Sequence, residues 1–106
     1  LLINAWATVL ACNSKTKNIE KFTTQSEIVI VAAWSPWLLK VNMLKVWAIV
    51  IDVWFTIINE KIHWDADTKL IDLVWGKVTP VPGWVWALTV ACLMKNTIKA
   101  YKLQNK

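Results

Sequence analysis

His63, Asp65 and Asp67 alternate along the chain. On a β-strand such a spacing puts all three side chains on one face, where an imidazole and two carboxylates could ligate a metal ion. His63 is the single histidine of the chain. The plainer reading is therefore that Asp67 caps a following helix while His63 is an exposed strand residue, and no metal site is assigned. Asp52 lies within an apolar run, Val46–Ile58. A bare buried carboxylate is costly, so it must be paired, hydrogen-bonded or protonated, or else face outward from a strand. The outward-facing reading is the expectation. One histidine supports no Ser-His-Asp arrangement. The only glycines are Gly76 and Gly83, so there is no glycine-rich phosphate loop and no cofactor is assigned. Cys12 and Cys92 belong to no CxxC pair; they could form one disulfide, but two buried thiols are the expectation.

Trp34-Ser35-Pro36-Trp37 follows an apolar strand-like segment. In α/β folds, strand ends that open into helices are where binding sites form. Trp34, Pro36, Trp37 and the later Pro82 are the candidate binding residues, with at least one of the two indoles exposed. The stretch resembles the thioredoxin fold, in which an apolar strand ends in two Trp separated by two residues and a proline precedes a later strand. Trp34, Trp37 and Pro82 take those places. The redox CxxC would fall on Leu38–Val41, where no thiol stands, so thiol–disulfide exchange has no thiolate to run on.

Leu1–Cys12 is apolar, like the hydrophobic part of a leader, but lacks a basic start, and it is expected to be a buried strand or helix. Asn13–Asn18 reads as a loop. Glu27–Ala33 is β-branched and apolar on both faces, as expected for the central strand of a covered sheet. Ser35 as N-cap and Pro36 at the first helical position predict a helix from Pro36 to about Ala48, with Trp37, Val41, Leu44 and Ala48 on one face. Val50–Ile58 reads as a strand, extended or repeated over Asn59–Trp64. Asp67 is placed to cap a short helix over Thr68–Trp75 that Gly76 ends. Val78–Pro82 is irregular or an edge, and Trp84–Met94 reads as a strand. Lys95, Lys99, Lys102 and Lys106 recur at helical spacing and predict a C-terminal helix with a lysine stripe. Together these predict one domain over residues 1–106, a small α/β fold with a mixed or parallel central sheet flanked by helices.

Composition bounds the function. Apolar residues make up 57% and charged residues 18%, against roughly 45–50% and 25% in ordinary soluble domains. Exposed apolar surface is expected, and self-association with it. The net charge is +5, and every basic residue is lysine. Lacking the planar guanidinium fork, the chain is a poor reader of bases, so no specific nucleic-acid partner is expected. The apolar runs fall well short of the roughly 20 residues of a membrane span. Nine tryptophans and the lysine face favour a non-catalytic interaction module that binds a protein or a small apolar ligand through a Trp-rich surface. A thioredoxin-like oxidoreductase and a subunit of a membrane-associated assembly are the alternatives.

Overall fold

The computed structural model describes residues 1–74, 77–80 and 83–106. Three parallel strands form the sheet: β1 (Ile28–Val31), β2 (Ile49–Asp52) and β5 (Lys77–Val78), in the order β1-β2-β5. Ile28 pairs with Ile49 and Val31 with Asp52, while Ile49 also faces Lys77. The small α/β fold with a parallel sheet is as expected, but β2, not the Glu27–Ala33 segment, is its centre. Burial alternates along β1: Val29 and Val31 are buried, Ile28 and Ile30 exposed. One face of β1 is therefore covered, where covering of both was expected, and among the described residues no strand lies on its outer side.

Each crossover has a local cause. Helix α1 (Ile19–Thr23) ends where the Thr24 and Ser26 hydroxyls turn back onto the Glu20 and Phe22 carbonyls, at 2.6 and 2.8 Å. Such back-bonding competes with continuation of the helix. After β1 the predicted Pro36–Ala48 helix does not form. Ser35 and Pro36 instead open a tight turn closed by the Leu38 amide on the Ser35 carbonyl (3.2 Å), with Trp37 at φ 57°. Proline is as well suited to the second residue of a turn as to the first of a helix. The remainder is a 3₁₀ turn at Val41–Met43.

The predicted Val50–Ile58 strand is divided. After β2 the chain leaves the sheet and makes an antiparallel hairpin, β3 (Phe55–Ile58) with β4 (Lys61–Trp64). Asn59 and Glu60, both with positive φ, form its two-residue turn, and left-handed pairs of this kind match the strand twist. Helix α2 (Thr68–Val74) follows. Its first hydrogen bond runs from the Ile71 amide to the Asp67 carbonyl, and the Asp67 carboxylate accepts from the Leu70 amide at 3.4 Å, so the predicted cap is present. Trp75 and Gly76 lie outside the described residues, and with them the predicted helix end.

Val29, Val31, Leu39, Val50, Ala66 and Ile71 form the core, with Val41, Met43, Leu44 and Val78 packed against it. Trp84–Met94, read as a strand, is instead the first half of one helix, α3 (Trp84–Gln104). The β-branched and aromatic residues there lower helix preference, but propensity is a weak prior, and the helix runs unbroken from Trp84 to Gln104. Leu1–Cys12 is exposed, with a 3₁₀ turn at Ile3–Ala5, and both cysteines are exposed and free. The expectation of a buried segment and buried thiols is corrected accordingly: no described strand pairs with this stretch to shelter it.

Candidate functional site

The carboxyl ends of β1 and β2 and the residues after β5 come together around two buried carboxylates. Asp52 ends β2, and neither Asp52 nor Asp65 has accessible surface. The Asp52 backbone amide donates to the Thr79 hydroxyl at 3.1 Å, and its Oδ2 accepts from the Ala66 amide at 2.8 Å. Its Oδ1 has no partner. Burial pushes the Asp52 carboxyl above the ordinary carboxylate value, with the nearby Asp65 charge adding to the effect and the Ala66 and Trp54 amides opposing it. The outward-facing reading of Asp52 is thus wrong: it stands two residues from the fully buried Val50, on the same face of β2, so its side chain turns inward.

Asp65 is held by the loop that leaves β1. Its Oδ2 accepts from the Ala33 and Trp34 amides at 2.5 and 2.9 Å, and its Oδ1 from the Ser35 amide at 2.9 Å. Three successive N–H groups aimed at one anion make a backbone cradle of the kind that binds phosphates and carboxylates. The register that brings Asp65 here comes from a short parallel run. The Trp37 amide donates to the Trp64 carbonyl, the Leu39 amide to the Asp65 carbonyl and the Asp67 amide to the Leu39 carbonyl, each at 3.0 Å.

An aromatic layer lies on the same strand ends. Trp34, in the loop after β1, stacks on Trp54, just past β2, with ring centres 4.5 Å apart. Trp54 meets Trp86 of α3 at 5.8 Å, and Phe55 lies between Trp86 (6.1 Å) and Trp64 (5.5 Å). Trp37 is turned away onto the edge of His63, at 4.5 Å.

The predicted binding residues are therefore split. Trp34 joins the strand-end layer, Trp37 and Pro36 form the adjoining turn, and Pro82 lies outside the described residues. Both indoles are exposed, Trp34 at 67% and Trp37 at 49%. His63, Asp65 and Asp67 do not converge, since each has a separate partner, and no metal-holding group occurs among the described residues. Sequence reasoning missed the role of Asp65 as the anion in the loop cradle. The available signal was a carboxylate directly after a strand, opposite an apolar strand's end.

Residues 1–105 match the family model described as tetrahydrofolate dehydrogenase/cyclohydrolase, NAD(P)-binding domain. The bifunctional protein FolD of Aliarcobacter butzleri is 48% identical over 107 residues, covering 100% of this chain and 37% of that protein. That of Hydrogenobaculum is 44% identical, covering 96% and 37%. The crystal structure of bifunctional methylenetetrahydrofolate dehydrogenase/cyclohydrolase from Thermoplasma acidophilum superposes with a TM-score of 0.90 at 36% identity, covering 98% of this chain and 38% of that one. The Campylobacter jejuni enzyme gives 0.87 at 39% identity, covering 97% and 37%. The chain thus spans well under half the length of these relatives. These likenesses overturn the expectation of a non-catalytic, protein-binding module, because the relatives are enzymes, and with it the thioredoxin-like and membrane-subunit alternatives. Among the described residues no helix is long and apolar enough to cross a membrane. The parallel sheet is Rossmann-like, and the chain belongs to the tetrahydrofolate dehydrogenase/cyclohydrolase family, matching its NAD(P)-binding domain.

Proposed function

We propose that this chain is the nucleotide-side domain of a methylenetetrahydrofolate dehydrogenase/cyclohydrolase, with NAD(P) received at the carboxyl ends of β1 and β2. The observation that carries the reading is the parallel β1-β2-β5 sheet, whose strands present their carboxyl ends on one side. Open α/β sheets bind nucleotides outside their strands' carboxyl ends, where loop amides meet phosphate. Trp34 and the Pro36–Trp37 turn would line the β1 side of that crevice.

The side chains present do not fit the dinucleotide. The cradle amides are engaged by the Asp65 carboxylate, and the Trp34–Trp54–Trp86 layer covers the strand ends. The 3₁₀ turn at Val41–Met43 offers no helix N-terminus to a pyrophosphate. The reading is tested on the full protein with Trp54→Ala and Trp86→Ala together, titrated calorimetrically with NAD⁺ and with NADP⁺. Removing two of the three rings is expected to give measurable binding of one dinucleotide. If neither binds at millimolar concentration while the variant stays folded by circular dichroism, the reading is wrong.

A further inference from the structure

Four tryptophans have left-handed backbone: Trp6 (φ 62°), Trp34 (56°), Trp37 (57°) and Trp47 (66°). In that region Cβ presses on the following carbonyl, so glycine is the residue suited to it and bulky residues are outliers. The local geometry of three of them asks for glycine specifically. Trp37 is the third residue of the Ser35–Leu38 turn, after Pro36, and Trp47 is the third residue of the Lys45–Ala48 turn, closed by the Ala48 amide on the Lys45 carbonyl at 3.0 Å. A positive φ at that position marks the turn type that takes Gly there. Trp6 is the left-handed residue that ends the Ile3–Ala5 turn, the place where helices most often put glycine.

Nothing offsets the strain at Trp6 and Trp47, whose side chains are 98% and 80% exposed. The composition points the same way. The chain has nine tryptophans and two glycines, where average usage gives a domain of this size about seven glycines. We infer that positions 6, 34, 37 and 47 are glycine positions, and that the cell which makes the active protein inserts glycine there. One change in decoding shared by the four positions would replace all of them together, whereas independent substitutions would have to strike glycine sites and choose tryptophan each time. The consequence for the cofactor rests on the proposed function: glycine at position 34 takes one ring from the layer over the strand ends.

Two measurements on the full protein test this. The first compares the melting temperatures of Gly and Ala variants at positions 37, 47 and 84. Trp84 begins α3 and is the control. Trp37→Gly and Trp47→Gly are each expected to melt above the matching Ala variant by roughly 2–4 °C, while Trp84→Gly melts at or below Trp84→Ala. Ala equal to or above Gly at both 37 and 47 overturns the inference. The second is peptide sequencing by mass spectrometry of the protein isolated from its native cell. Glycine at 6, 34, 37 and 47 is expected, and tryptophan at those positions overturns the inference. Neither result depends on dinucleotide binding, so glycine at these positions in a protein that still binds neither NAD⁺ nor NADP⁺ would defeat the proposed function alone.

Discussion

Asp52 and Asp65 are two fully buried carboxylates with opposite environments. Asp65 accepts three amides, whereas Asp52 has one oxygen on Ala66 and one without a partner. Because burial raises the Asp52 pKa from its ordinary value, the carboxyl takes up a proton more readily in the folded state than in the unfolded one. Its contribution to stability is complete below the ordinary value and is lost as pH rises through the raised one. Asp52→Asn is therefore expected to lessen the fall in unfolding free energy as pH rises above about 4, measured by urea denaturation across pH. An unchanged slope would show that Asp52 does not titrate across that window. Asp65→Ala strands three amides at once and is expected to destabilise by at least about 1.5–3 kcal/mol, the range for one hydrogen bond to a charged group. Denaturation at neutral pH measures it.

Among the elements, β2 is the keystone, since it pairs with β1 on one side and β5 on the other. Its amides are expected to exchange with solvent more slowly than those of β1, because a central strand opens only with the sheet. Hydrogen exchange resolved to Ile49–Asp52 and Ile28–Val31 checks this, and slower exchange in β1 would contradict the strand order. Helix α2 is anchored by Ile71, which has no accessible surface. Ile71→Ala is expected to cost about 2–5 kcal/mol in denaturant unfolding. Ser-Pro opens a turn as readily as a helix, and what decides between them is Leu39, buried in the core and bridged to Ala66. The extended backbone needed for that bridge is incompatible with a helix through Leu39.

At the scale of the whole molecule, α3 contributes no buried residue. Val90, Met94, Ile98 and Tyr101 repeat every three or four positions along it and are 55–66% exposed. The stripe has the spacing of a helix seam, beside the exposed Lys95, Lys99 and Lys102 that the lysine periodicity predicted; Lys106 lies past the helix end. The full protein is expected to self-associate through this side. Met94→Glu with Ile98→Glu should shift its sedimentation toward the smaller species, and an unchanged profile would place the contact elsewhere.

The sequence by itself determined the α/β class, the strand-like character of Ile28–Val31 and Val50–Asp52, the Asp67 cap and the lysine face of α3. These rest on short-range rules, namely β-branched runs, capping chemistry and helical period, that hold within a few residues. Only the tertiary structure decided which strand is central, that Asp52 points inward, and that Asp65 seats in the amides of a loop some thirty residues earlier in the chain. Those depend on register between distant segments, and no local pattern encodes register. The site was obscured for a further reason. The left-handed backbone at Trp34, Trp37 and Trp47 has no local signal either, because turn closure and the Asp65 carboxylate set φ there whatever side chain is attached.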